Sequence, residues 1–121
     1  MASISFLIPA KNEKKYIKSC INSINKSCKN LDLKYEIIVC LNLSTDNTQT
    51  VIKNNFGKVK VVYQNKEPSI SKTRNTASSY AKNKYLIFID ADCTLTERLL
   101  KNSLKNINKY KIISAVMSFK P

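Results

Sequence analysis

Short apolar runs that end abruptly in polar clusters alternate along this chain with stretches whose apolar residues recur every three or four positions. Ser3–Ile8 is rich in Ile, Phe and Leu and predicts a first strand, stopped at Pro9 because proline lacks a ladder donor. Ile17, Cys20, Ile21, Ile24 and Cys28 then form a stripe of period near 3.6, the mark of a helix lying on a sheet. Tyr35–Leu41 reads as a second strand, followed by the capping-type cluster Asn42, Ser44, Thr45, Asp46, Asn47 and Thr48 and a short helix through Val51 and Ile52, which Phe56-Gly57 would stop. Val59–Tyr63 predicts a third strand. Ile70, Thr73, Ala77, Tyr80 and Ala81 share one face of the next helix.

The run Tyr85–Cys93 (Tyr-Leu-Ile-Phe-Ile-Asp-Ala-Asp-Cys) predicts a fourth strand, central and covered on both faces. Thr94-Leu95-Thr96-Glu97 fits a capping box opening a helix with Leu99, Leu100, Ser103, Leu104 and Ile107 inward, and Ile112–Phe119 predicts a fifth strand. Regular alternation of strand and helix implies an α/β fold: a doubly wound, mostly parallel sheet with right-handed crossovers and helices on both faces. In such a sheet ligands bind beyond the carboxyl ends of the strands. That edge would gather Pro9–Glu13, Asn42–Asp46 and Asp90–Asp92. On an extended strand Asp90 and Asp92 would point the same way, roughly 6.5–7 Å apart.

Length and composition narrow the picture. A chain of 121 residues is one domain, 1–121, with room for a single layered core. No stretch approaches the roughly 20 apolar residues that cross a bilayer, which predicts a soluble, cytoplasmic protein. Cys20, Cys28, Cys40 and Cys93 form no C-x-x-C pair and histidine is absent, so free, mostly buried thiols are expected. The 21 Lys and Arg against 8 Asp and Glu give +13, favouring phosphorylated ligands, nucleic acid or an anionic membrane surface. The lysines are spread along the sequence, as solvated faces would have them. No interleaving of basic and aromatic residues points to nucleic acid, and none is expected as a partner.

The single glycine, Gly57, excludes a glycine-rich dinucleotide fingerprint and a P-loop. Without histidine a Ser-His-Asp or Cys-His arrangement cannot be built. Carboxylates, one well-placed arginine and a divalent cation remain. Capping or solvent exposure is the ordinary use of an Asp after a strand, and Asp-x-Asp alone decides little.

Four blocks taken together are more specific. Ile8-Pro9-Ala10-Lys11-Asn12-Glu13, Tyr35–Val39 leading into Ser44-Thr45-Asp46-Asn47-Thr48, Ser71-Lys72-Thr73-Arg74-Asn75, and Asp90-Ala91-Asp92 resemble, in order and spacing, the family 2 glycosyltransferases of the GT-A fold. The resemblance covers essentially the whole chain and corresponds to the nucleotide-binding N-terminal half of such enzymes. It implies that Pro9, Ala10, Lys11 and Glu13 lie along the base and ribose, that Arg74 and Ala91 help hold the nucleotide, and that Asp90 faces the ribose or a metal-bound water. It further implies that Asp92, with Asp90, ligates Mg²⁺ or Mn²⁺ bridging the diphosphate of a UDP- or GDP-type sugar. An inverting transfer to an acceptor hydroxyl, on a lipid-linked or polysaccharide acceptor, is the activity so implied. A non-catalytic nucleotide-sugar binding module is the alternative.

Departures from the family pattern carry expectations too. Leu41, Asn42 and Leu43 stand where two acids and a glycine are usual, leaving Asn42 to grip the nucleotide in place of a carboxylate. Asn47 and Ala77 also occupy usual glycine positions, where asparagine tolerates left-handed backbone and alanine requires a negative φ. The family's acidic general base belongs to an acceptor-binding half after the metal motif and the next strand, so no residue here is assigned as catalytic.

Overall fold

The computed structural model describes residues 2–107; the expected strand Ile112–Phe119 lies outside them. Strands β1 (Ala2–Ala10), β2 (Leu33–Asn42), β3 (Lys60–Gln64) and β4 (Tyr85–Phe88) alternate with helices α1 (Ile17–Cys28), α2 (Thr48–Asn55), α3 (Ile70–Ser79) and α4 (Glu97–Asn106). The sheet is parallel throughout, in the order β3-β2-β1-β4, so all four strands deliver their carboxyl ends to one edge.

Strand alternation divides the core into two layers. Ile4, Phe6 and Ile8 of β1 with Ile37, Val39 and Leu41 of β2 meet the α1 stripe, Ile52 of α2 and Leu100 of α4. On the other face Leu7, Ile38, Cys40 and Val62 pack against Ala77 of α3. Two polar residues brace the amino end of the sheet. Ser5, fully buried, donates from Oγ to Glu36 Oε2 (2.5 Å) and accepts from Asn83 N (3.2 Å), while Asn83 Nδ2 donates to Ile4 O (2.8 Å).

Several sequence expectations are corrected. β1 continues through Pro9 to Ala10, in register with Cys40 and Leu41. Leu7 O accepts from Ile89 N (3.0 Å), so position 9, two residues on, also faces the β4 side, where pairing has already ended at Leu7–Phe88 and no donor is required. The run Tyr85–Cys93 is not strand throughout. β4 is its first four residues, and among the described residues it has one neighbour, with Leu86 and Phe88 exposed. The capping residue of α4 is Thr96, whose side chain accepts from Leu99 N, because Leu95 is buried with its N–H held by Ser23 Oγ (2.9 Å). Ile70 and Tyr80 do not share the buried face of α3; they are 65% and 44% exposed. The left-handed residues are Asn12 (φ 53°) and Leu43 (φ 54°); Asn47 has φ −87°.

All four cysteines are free and buried. No described helix is long and apolar enough to cross a membrane.

Candidate functional site

Beyond the sheet's carboxyl edge the loops after β1 and β2 are laced together. Asn12 takes the left-handed conformation that asparagine tolerates, which turns its amide onto the neighbouring loop. Its Oδ1 accepts from Thr45 N (2.8 Å) and Asp46 N (3.2 Å), and its backbone N donates to Ser44 Oγ (3.1 Å). One residue on, Glu13 N donates to Thr48 Oγ1 (3.1 Å) and Lys14 N to Asp46 Oδ2 (3.3 Å). Thr48, fully buried, donates its hydroxyl to Asp46 Oδ1, which also accepts from Thr48 N (3.0 Å). Asp46 therefore serves as a helix-start acceptor for α2, not as an open ligand group. Burial opposes its ionisation, but the Thr48 and Lys14 hydrogen bonds and the Lys14 charge outweigh that and hold the carboxyl below its ordinary value.

The acids after β4 sit differently from residues on an extended strand. The chain leaves the ladder after Ile89 and closes a turn with Cys93 N donating to Asp90 O (3.0 Å). That turn gathers one carboxylate oxygen each from Asp90 and Asp92 with Cys93 Sγ, all within 4.8 Å of one another. Asp90 is exposed, Asp92 half-buried and Ala91 buried. Two carboxylates reached from solvent suit a hard divalent cation. Burial and then the two neighbouring carboxylates push the Cys93 thiol up to about 11, and its Sγ lies 3.6 Å from Asp92 Oδ1 as a donor. Cys20, pushed up to about 12 by burial and then by Cys93 and the nearby acids, donates to Asp90 O at 3.7 Å. Two protonated thiols thus underpin the turn from the core side.

Glu13 faces the same acids. Burial first, then Asp92, Asp46 and Asp90, raise its carboxyl above the ordinary value. Four acids from three loops thus lie near enough to this edge to act on one another, which favours a positively charged ligand there. One positive group is already there. Arg74, in the second turn of α3, pairs with Asp90 Oδ1 at 3.4 Å, its guanidinium 6.0 Å from the Phe88 ring centroid. Both partners are about half exposed, so the pair contributes little to stability and leaves Arg74 available to a ligand.

The structure thus brings Glu13, Arg74, Asp90, Ala91 and Asp92 together, with Pro9, Ala10 and exposed Lys11 at the adjoining end of β1. Asn42 is placed otherwise: it is 6% exposed and its amide is engaged with the segment that leads into α3. Sequence reasoning did not single out Asn12, Thr48, Gln64 or the structural use of Cys93. An asparagine directly before a cluster of Ser, Thr and Asp was the available signal for the first. A hollow of about 450 Å³, lined by Tyr63, Gln64, Asn65, Lys66, Lys72, Asn75 and Thr76, lies on the other side of α3. Lys72 and Thr76 are roughly 200° around the helix from Arg74, so this hollow is separate from the acids.

Proteins of known identity are similar to this chain in sequence and fold. Glycosyltransferase SunS of the SPbeta prophage of Bacillus subtilis is 40% identical over 81 residues, covering 67% of this chain and 18% of SunS. The poly(ribitol-phosphate) beta-N-acetylglucosaminyltransferase TarS of Staphylococcus aureus is 26% identical over 116 residues, covering 91% of this chain and 20% of TarS. A crystal structure of TarS 1-349 superposes with a TM-score of 0.73 at 25% identity, over 92% of this chain and 33% of that one; the UDP-GlcNAc complex gives 0.68 at 25%, over 92% and 32%. The mannosyltransferase PcManGT of Pyrobaculum calidifontis, solved with GDP-Man and Mn²⁺, shares the fold (TM-score 0.73, 22% identity, 84% of this chain and 31% of that one). The chain spans about a fifth of the length of these curated relatives. The family model for Glycosyl transferase family 2 matches residues 5–120, and the chain belongs to that family.

Proposed function

We propose that residues 1–121 form the donor-holding part of a glycosyltransferase, binding a nucleoside-diphosphate sugar of UDP or GDP type with a divalent cation, Mg²⁺ or Mn²⁺. The observation that carries this reading is the 90–93 turn, which sets two solvent-reached carboxylates beside Arg74 at the sheet's carboxyl edge. The UDP-GlcNAc complex of TarS and the GDP-Man and Mn²⁺ complex of PcManGT support it.

In this reading Asp92, with Asp90, holds the cation. A cation so held neutralises diphosphate oxygens and stabilises the departing nucleoside diphosphate. Arg74 exchanges its exposed contact with Asp90 for charge-assisted hydrogen bonds to the nucleotide. Pro9, Ala10, Lys11 and Glu13 border the base and ribose, Ala91 helps hold the nucleotide, and Asp90 faces the ribose or a metal-bound water. Glu13, held less acidic than usual, offers a hydrogen-bonding carboxyl to the ribose hydroxyls there. In the transfer an acceptor hydroxyl oxygen bonds to the anomeric carbon as its bond to the phosphate oxygen breaks, with inversion. No residue of this chain is assigned as the base that takes the hydroxyl proton.

Calorimetric titration with UDP, GDP and their sugars, with and without Mn²⁺, tests the site directly. Binding should require the cation, and Asp92→Ala should weaken it at least tenfold; binding indifferent to Mn²⁺ and to that substitution would overturn the assignment. Binding without transfer to any acceptor, once the chain is joined to the rest of a family enzyme, would favour the non-catalytic module.

Charge distribution supports an anionic membrane surface as a further partner of a cytoplasmic protein. Lysines spread along the sequence converge at the sheet's amino end: Lys26 and Lys29 close α1, Lys34 opens β2, Lys58 and Lys60 open β3, and Lys82 and Lys84 open β4, all exposed. Asp32 and Glu36 are the acids there, and Glu36 is occupied by Ser5 Oγ and Lys82 N. Cosedimentation with vesicles containing phosphatidylglycerol, absent with phosphatidylcholine alone and lost in Lys34→Glu/Lys60→Glu/Lys84→Glu, is expected. Equal binding to both vesicle types would refute it.

A further inference from the structure

Asn42 and Gln64 are the last residues of β2 and β3, paired in register and only 6% and 7% exposed. Buried amides need partners, and both find them on the same segment. With its amide turned so that both ends are satisfied, Asn42 donates from Nδ2 to Glu67 O (3.2 Å) and accepts at Oδ1 from Ser69 N (3.1 Å). Gln64 donates from Nε2 to the same Glu67 carbonyl (2.6 Å) and accepts at Oε1 from Lys66 N (2.9 Å). Ser69 is the N-cap of α3, accepting at its side chain from Lys72 N. The two amides therefore fix the path of residues 65–69 and the start of the helix that carries Arg74 to Asp90.

We infer that Asn42 is a positioning residue for the nucleotide site, acting through the Asn65–Ser69 loop and α3 and not through contact with the nucleotide. The inference rests on the nucleotide-sugar reading above and deepens it. Position 42 needs one donor and one acceptor on the same planar group, which an amide supplies. An ionised carboxylate offers acceptors only; it would keep Ser69 N and set a negative oxygen against Glu67 O. A protonated carboxyl, with one O–H, restores the donor. Leu43, immediately after, is held at φ 54°; a leucine keeps that conformation only where its surroundings enforce it, consistent with a β2 end fixed from the α3 side. The consequence is that nucleotide recognition must be read from Glu13, Lys11 and Arg74 and not from residue 42.

Asn42→Asp sets the two readings in opposite directions. The charged groups on the surrounding elements are Lys11, Asp46, Lys66, Glu67, Lys72 and Arg74, with Lys72 already paired to Glu67. Amide hydrogen exchange at residues 65–70 without nucleotide, and nucleotide affinity with Mn²⁺, would be measured from pH 4.5 to 8 as ratios to wild type. At pH 7.5 the variant should exchange faster at Ser69 and bind about tenfold more weakly, as loss of one buried hydrogen bond implies. Both ratios should return toward one as the introduced carboxyl protonates. Affinity equal to or above wild type at pH 7.5 with unchanged exchange would overturn the inference. Gln64→Leu, which removes the second amide from Glu67 O, guards against a misfolded variant: it should speed exchange over the same residues and weaken binding severalfold without pH dependence, and no change in either would also overturn it. If wild type binds no nucleotide, the donor reading fails while the exchange arm still decides the clamp.

Discussion

Asn12 ties the loop after β1 to the loop after β2, and removing its side chain tests whether the site's two walls are built as one unit. Asn12→Ala deletes the acceptor for Thr45 N (2.8 Å) and Asp46 N (3.2 Å). Exposed hydrogen bonds contribute at the lower end of the usual 0.5–1.5 kcal/mol, so the two together are worth roughly 1–2 kcal/mol. Alanine at φ 53° adds about 1 kcal/mol of left-handed strain. The sum, about 2–3 kcal/mol, is a large fraction of a domain's typical 5–15 kcal/mol and corresponds to a fall in Tm of roughly 10 °C. Asn12→Gly relieves the strain but gives part of the gain back through a freer unfolded chain, and should lie up to about 0.6 kcal/mol above the alanine variant. Urea unfolding monitored by circular dichroism, with the m-value unchanged, measures both. An alanine variant within 0.5 kcal/mol of wild type, at about the threshold of an ordinary surface change, would refute the view that Asn12 holds the two loops together.

Leu43 supplies a contrasting case, since its φ of 54° strains a branched side chain. Leu43→Asn should stabilise the fold by about 0.5 kcal/mol after the loss of partly buried apolar contact, and a lower urea midpoint would show that the contact outweighs the strain. Asp46 gives a pH dependence whose sign follows from its lowered folded-state value. Its stabilisation is present above the unfolded carboxyl range and is lost as pH falls through the folded value. Asp46→Asn should therefore flatten the acid side of the Tm-versus-pH curve below about pH 4, and an unchanged acid limb would show that the Thr48 and Lys14 hydrogen bonds carry no linkage.

The sequence by itself determined the layered α/β fold, because runs of Ile, Val and Leu long enough for buried strands alternate with stripes of helical period. It also placed the acids, since a polar cluster after each strand must emerge at the same edge of a parallel sheet. Tertiary structure decided what those residues do there. How β4 pairs depends on partners distant in the chain, and among the described residues its one neighbour is β1. Asp90 and Asp92 converge because a Cys93–Asp90 backbone bond turns the chain after the ladder ends, a geometry that strand periodicity does not encode. Asn42 and Asn12 look interchangeable in sequence, two asparagines just past or at strand ends. One is buried against the start of α3 and the other laces two exposed loops. The difference is set by which backbone donors and acceptors fold up around each amide, and that is a property of the assembled sheet and not of either residue.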